Sequence, residues 1–308
     1  MNKGSIVTKY RPESFDEVIG QDAVVRSLEA AIEKQSSTAF LFTGPSGTGK
    51  TSLARLAAEA MGCLPSDLLE VDGATNTGID DMREVLSSLM YRPLGEGAVK
   101  AIIIDEFHAL SKQAVTAILK TLEDPPSWVV FFLCTTEPTK VPVAIKTRCL
   151  AYQLKEVRET ELLDLLESTA EAKDVDKDIL DICAREAGGS PRQALANLGV
   201  CLTAEDREEA LGLLRSASES KEAIDLARAL INNASWPEIK GILVLLKEVS
   251  PESVRHVIRA YTTAVVLNGK GKDSESAFAV LDAFSEPFNS ADGVSPLVLA
   301  CGRLALAS

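Results

Sequence analysis

The stretch GPSGTGKT, Gly44 to Thr51, comes directly after the apolar run TAFLFTG and directly before the helical pattern TSLARLAAEAM. A strand, a glycine-rich turn and a helix in that order are the context a phosphate-binding loop requires. Its glycines let backbone N–H groups close around phosphate oxygens, and the helix N-terminus adds partial positive charge. The pattern assigns Gly44, Pro45, Ser46, Gly47, Thr48, Gly49 and Ser52 to the cradle; Lys50 reaches the β- and γ-phosphates of ATP, and Thr51 is a ligand of Mg²⁺.

The rest of the first half agrees with that start. LLEVDG (Leu68 to Gly73), VKAIIIDE (Val99 to Glu106) and WVVFFLCTT (Trp128 to Thr136) are short, rich in β-branched and aromatic residues, and end in small or polar ones. They read as buried parallel strands, with Leu150 to Leu154 as the last. IDDMREVLSSL and KQAVTAILKTLED carry helical periodicity between them. The alternation predicts a parallel α/β sheet over residues 1–154.

From Glu156 the strand signal stops. ETELLDLLESTAEA, KDILDICAREAG and PRQALANLGVCL predict a small helical lid over 155–204, and the remainder, 205–308, reads as all-helical. NGKGKDSES (Asn268 to Ser276) is expected to be an exposed loop within it.

Several function classes are excluded early. No apolar run approaches the roughly 20 residues of a membrane span, and no signal-peptide pattern opens the chain, so a cytoplasmic protein without membrane partners is expected. The six cysteines include no C-x-x-C pair and have two histidines to help them, which predicts neither zinc nor a disulfide framework. A net charge of −13 argues against tight non-specific DNA binding by the monomer. Most of the excess acid lies beyond Gln153, so a nucleic-acid surface would belong to the first half.

AIIIDEFH, Ala101 to His108, ends an apolar strand in two carboxylates. Asp105 can hold Mg²⁺ and Glu106 can polarise the attacking water, although adjacent acids also serve as solvated strand ends. FLCTTEP ends the next strand in Thr135 and Thr136, where a hydroxyl can meet a phosphate or the lytic water, although two β-formers at a strand end with Thr136 facing solvent would read the same. In GGSPRQALANL, Ser190 is a helix N-cap with Pro191 at the first helical position. That fixes Arg192 in the first turn, where a cation opposes the helix dipole and needs an anion. Arg148, in IKTRCLAYQL at the entry to an apolar strand, needs one too.

The order KYRPESFDEVIGQ, phosphate loop, DEFH, TLEDPPSWVVFFLCTTEPTKVPVAIKTRC and GGSPRQAL resembles the AAA+ ATPase core of bacterial clamp loaders, of the gamma/tau type of DNA polymerase III. The resemblance covers Tyr10 to about Leu198 in motifs, and the helical C-terminal third in length and class. It implies that Tyr10, Arg11, Pro12, Val18 and Ile19 surround the adenine. Thr136 is then the first sensor, and Arg192 is the second sensor on the γ-phosphate. Arg148 becomes an arginine finger acting in trans on a neighbouring subunit's nucleotide. The implied activity is ATP hydrolysis coupled to opening a sliding clamp and loading it on primer-template DNA. The implied partners are other clamp-loader subunits in a ring-like pentamer. For DNA, the resemblance points to Asn76, Thr77, Lys112 and Lys120 on the inside of the ring. Lys120 would equally suit a solvated helix face.

The sequence departs from the family in three places. Thr147 stands where serine is usual and keeps the hydroxyl. Only Cys63 stands where gamma/tau subunits carry a four-cysteine zinc module, so no zinc is expected. The resemblance stops at the helical third, so the polymerase and helicase partners of the long tau extension are not among the expected ones. Two rival readings remain: an AAA+ remodelling or branch-migration motor, against which TRC and EDPP speak, and a non-hydrolysing scaffold subunit, which should have a degraded phosphate loop.

Overall fold

The computed structural model describes residues 5–75, 78–93, 99–169, 171–204, 206–247, 249–268, 272–288 and 294–306. They fall into two compact units, Met1–Arg207 and Glu208–Ser308.

The first unit is built on a five-stranded parallel sheet of β1 (Ala39–Thr43), β2 (Cys63–Asp72), β3 (Val99–Asp105), β4 (Val129–Thr135) and β5 (Leu150–Gln153), in the order β2-β3-β4-β1-β5. Successive residues of a strand point to opposite faces, and here both faces are buried. Phe40, Phe42, Ile103 and Phe132 point to one side, against Leu28 of α2 (Asp22–Glu33) and Leu53 and Ala57 of α3 (Lys50–Ala60). Leu41, Ile102, Ile104, Phe131 and Leu133 point to the other, against Met82 and Leu86 of α4 (Ile79–Ser88) and Ile118 of α5 (Lys112–Glu123). This explains why the strands read as continuous apolar runs rather than alternating ones.

Two strands differ from expectation. β2 begins at Cys63, five residues before the apolar signal, and its register against β3 shifts between Cys63 and Leu68. β5 pairs with β1 alone, at the sheet edge, and is largely exposed. The expectation of a buried strand at Leu150 to Leu154 therefore fails except at Leu154, which is 1% exposed. With it falls the premise that Arg148 enters a buried environment.

Register sets the site. Thr43 of β1 aligns with Thr135 of β4, and Ile104 of β3 with Leu133 of β4, so the C-terminal ends of three neighbouring strands arrive together. That is where open α/β sheets bind ligands. The unit continues with a four-residue helix α6 (Val143–Lys146) between β4 and β5, and after the sheet with α7 (Glu159–Ser168), α8 (Lys177–Arg185) and α9 (Pro191–Cys201). A short N-terminal helix, α1 (Ile6–Lys9), lies against α9, with Ile6 beside Gly199.

The second unit consists, among the described residues, of α10 (Arg207–Ile231), α11 (Trp236–Leu245), α12 (Pro251–Asn268), α13 (Lys272–Ala283) and α14 (Ser295–Leu306). α10 runs unbroken for 25 residues. α13 starts at Lys272, so the loop expected over Asn268 to Ser276 is helical over most of its length. Leu226, Leu230, Ile239, Leu243, Ile258, Val280, Phe284 and Leu297 form its core.

One polar group holds that core's edge. Arg255, 3% exposed, donates to the carbonyls of Phe284 (3.1 Å) and Ser285 (3.3 Å) beyond α13 and to Glu252 (2.5 and 2.8 Å). Arg255, together with the Phe288 N–H, holds the Glu252 carboxyl down at about 2. The contribution of this carboxylate is thus complete above the ordinary glutamate range and is lost only as pH falls through about 2. Arg255→Ala takes this donor from the Phe284 and Ser285 carbonyls and leaves Glu252 with the Phe288 N–H (2.8 Å) and His256, and should lower the stability of this unit by about 2–3 kcal/mol in urea unfolding at neutral pH.

Candidate active site

The loop between β1 and α3 turns on glycines. Gly47 and Gly49 have φ of 74° and 105°, the left-handed region that favours glycine. At Gly47 space matters as much as angle, because a Cβ there would run into the hydroxyl of Ser190, at the start of α9. The Arg192 N–H also meets the Gly47 carbonyl, at 3.5 Å. Two helix N-termini, those of α3 and α9, therefore converge on one loop. α9 is positioned as its sequence dictates: the Ser190 hydroxyl accepts the Gln193 N–H (3.2 Å), and Pro191 occupies the first helical position.

Lys50, 6% exposed, lies inside the loop and donates to the carbonyls of Gly44 (2.9 Å) and Pro45 (2.7 Å). Burial pulls its ammonium below the ordinary lysine range, opposed by the nearby Glu106 and Asp105 carboxylates. Thr48 braces the same turn by donating to the Pro45 carbonyl at 2.9 Å. The Thr51 hydroxyl donates to Asp105 Oδ2 at 2.7 Å, and Asp105 Oδ1 accepts the Glu106 N–H at 2.9 Å. Asp105 is thus fixed at both oxygens. Glu106 stands at φ 45°, so its side chain leaves the line of β3, and Thr136 donates to its Oε2 at 3.3 Å.

A cavity of about 170 Å³ opens over this group. Ser46 to Ser52, Asp105 and Glu106 line it beside Tyr10, Arg11, Pro12, Val18 and Ile19, with Pro191, Arg192 and Leu195 from α9. The five N-terminal residues singled out in sequence therefore gather at one cavity with the loop and α9. Gly44, Pro45 and Thr136 stand behind it, in contact with lining groups. Tyr10 is tied across by its hydroxyl to Glu171, which also accepts from Lys9 at 2.6 Å.

Sequence reasoning missed Glu70, which lines the cavity from β2 and pairs with Arg55 of α3. It also missed His108, between Glu106 and Glu137. Burial, then the charges of Arg55 and Arg192, pull the Arg11 guanidinium below its ordinary value, with Glu70 opposing. Cations thus crowd one cavity of a chain whose net charge is −13.

The residues present fit ATP and Mg²⁺. An apolar and aromatic wall faces a polar end with a buried ammonium and two helix N-termini, and the paired Thr51 hydroxyl and Asp105 carboxylate are oxygen donors suited to a hard cation. Cys63, Cys134, Cys183, Cys201 and Cys301 are buried and Cys149 is half-buried. Among the described residues no three His, Cys, Asp or Glu side chains converge as a metal site.

The remaining candidates lie apart. Arg148 is exposed at the end of α6, where it donates to Glu123 Oε1 (2.8 Å) and to the Ala144 carbonyl (2.9 Å). Its sequence-predicted anion was to be found on another chain; here Glu123 of the same chain supplies one. Lys112 and Lys120 are exposed on α5, Lys112 in the first turn behind the Ser111 cap. Asn76 and Thr77 lie outside the described residues. Among the described residues no helix is long and apolar enough to cross a membrane.

Gly47→Ala should abolish nucleotide binding. The substitution strains a left-handed turn and drives a methyl into Ser190, so the loop and the start of α9 cannot keep their positions. Calorimetric titration with Mg-ATP beside a urea unfolding curve checks this. The expected result is lost binding with at most about 3 kcal/mol lost stability.

A family described as DNA polymerase III, delta subunit, matches residues 66–158. The chain is 35% identical to DNA polymerase III subunit tau of Bacillus subtilis over 222 residues, 64% of this chain and 39% of the relative. To subunit tau of Escherichia coli it is 32% identical over 253 residues, 73% of this chain and 39% of the relative. The chain therefore spans well under half the length of these relatives. In fold it is similar to the Thermotoga maritima RuvB Holliday junction branch migration motor, with TM-score 0.56 and 22% identity over 74% of this chain and 80% of that one. The chain thus shares the α/β fold of that motor and is similar in sequence, over the matched residues, to the DNA polymerase III tau/gamma subunits.

Proposed function

We propose that this chain is a clamp-loader ATPase subunit. It binds Mg-ATP in the cavity under α9, and uses binding and hydrolysis to open a sliding clamp and release it on primer-template DNA, in the cytosol. The convergence of Lys50, the Thr51–Asp105 pair and the Glu106–Thr136 pair at one end of one cavity carries the reading. Kinship with the tau/gamma subunits supplies the biological direction.

Each residue has a distinct task. The loop from Gly44 to Ser52 presents N–H groups and Lys50 to the phosphates, while Tyr10, Arg11, Pro12, Val18 and Ile19 enclose the base. Thr51 and Asp105 hold Mg²⁺, which when bound neutralises charge on the phosphoryl oxygens. Glu106 accepts the proton of the attacking water, and Thr136 orients Glu106. Arg192 joins the phosphates from α9. Arg148 is given to a neighbouring subunit. Leaving Glu123 costs little, because exposed ion pairs contribute about 0–1 kcal/mol.

The division of labour follows from this: 1–154 binds nucleotide, 155–204 is the lid, and 205–308 joins the subunits in a pentameric ring. Lys112 and Lys120, exposed on α5, offer their ammonium groups to DNA phosphates inside it. The fold alone would also suit a branch-migration motor, but the sequence kinship favours the loader. Native mass measurement with and without an ATP analogue, other loader subunits and clamp tests the assembly. The expected result is a pentamer that takes up clamp only with nucleotide; a hexamer of this chain alone that ignores clamp would contradict it.

A further inference from the structure

The imidazole of His108 sits between two carboxylates. Its Nδ1 is 3.0 Å from Thr135 Oγ1 and 3.3 Å from Glu106 Oε2, while Nε2 is 3.1 Å from Glu137 Oε1. The side chain is 15% exposed. Thr135 is fully buried, and its hydroxyl also accepts the Glu137 N–H at 3.0 Å. Glu137 has a second donor in Lys140, at 2.9 Å.

The turn after β3 and the end of β4 are thus joined by polar contacts at two places, Thr136 to Glu106 and His108 to Thr135 and Glu137. Glu106 needs such contacts. It leads the chain out of β3 in a left-handed conformation, and an unbraced glutamate there has three free side-chain torsions. A carboxylate only accepts, so whichever ring nitrogen carries a proton finds an acceptor in front of it, Glu106 or Thr135 at Nδ1 and Glu137 at Nε2. A ring needed merely to fill space would have no reason to set its nitrogens on these acceptors.

We infer that His108 is a positioning residue for hydrolysis: it fixes the Glu106 carboxylate against the end of β4, so that the base keeps one orientation at the cavity. The inference rests on the reading of Glu106 as the base. His108 does not line the cavity and touches no substrate in this account. Its loss should therefore lower kcat and leave the KM for ATP alone, since misplacement of a reacting group costs up to about a hundredfold in rate.

The test uses the full chain in two arms. The chain has two histidines, so the ring nitrogens of His108 can be followed by ¹⁵N NMR beside His256 as an internal reference. Glu106→Gln should shift the Nδ1 resonance of His108, and Glu137→Gln its Nε2 resonance, with His256 unmoved. In single-turnover hydrolysis of bound Mg-ATP by the assembled complex, His108→Ala should lower the rate about tenfold or more with affinity within about twofold. His108→Asn, whose amide can replace Nδ1, should recover much of the rate; His108→Gln, whose amide replaces Nε2, should not. An Nδ1 resonance indifferent to Glu106→Gln overturns the contact. An undiminished rate in His108→Ala, beside an inactive Glu106→Gln, overturns the positioning role alone. Normal hydrolysis by Glu106→Gln instead overturns the base assignment, and the inference with it.

Discussion

Lys50→Ala loses nucleotide binding, whereas Glu106→Gln keeps it and loses turnover. The first effect follows from burial. Lys50 is the ammonium enclosed by the loop, held on the Gly44 and Pro45 carbonyls, and a phosphate placed there without it meets two carbonyls and nearby Asp105 and Glu106. Removing one partner of a buried charge pair costs about 2–5 kcal/mol, roughly 30- to 5,000-fold in affinity. Glu106 contacts Thr136 and His108 rather than the loop, so its amide replacement spares the cradle. Turnover should fall by about 10²–10⁴-fold, the usual worth of a positioned general base. Calorimetry and phosphate release on the same preparations separate the two. Wild-type hydrolysis by Glu106→Gln would remove Glu106 from the chemistry.

Arg148→Ala should bind ATP normally and lose nearly all hydrolysis in the assembled ring. An arginine supplied in trans is worth on the order of 10³–10⁵ in rate, about 4–7 kcal/mol in the transition state. The exposed pair that Arg148 makes with Glu123 is worth at most about 1 kcal/mol, so it cannot retain the side chain against such a gain. The sharper version mixes Arg148→Ala with Lys50→Ala subunits, each inactive alone. Interfaces that join an intact loop from the first to an intact Arg148 from the second should regain part of the activity. Normal hydrolysis by Arg148→Ala alone would reduce the residue to the surface pair seen with Glu123.

The sheet and the phosphate loop were legible because their signals are local. A buried parallel strand writes itself as an unbroken apolar run, and IIID or VVFFLC can hardly fold otherwise. The loop's glycines sit where backbone angles demand them. What sequence could not supply was pairing in space. β5 carries Leu150 and Tyr152, but whether a strand lies at the centre or the edge depends on strand order, and the edge is what exposes Arg148. Glu123 lies 25 residues before Arg148, and nothing local marks them as partners. Glu70 and His108 were invisible for the same reason: DEFH and TTEP were each read for their own ends, while the contact between them exists only once β3 and β4 are aligned. The start of α9 is the counterexample. There Ser190 and Pro191 wrote the cap into the sequence, and only its meeting with Gly47 needed the fold.

ATP hydrolysis by the assembled complex, measured with and without sliding clamp and primer-template DNA, tests the account most directly. The account predicts that clamp and primed DNA together stimulate turnover well beyond either alone, and that Glu106→Gln and Arg148→Ala abolish the stimulation. Turnover indifferent to clamp and raised instead by a four-way DNA junction would contradict it.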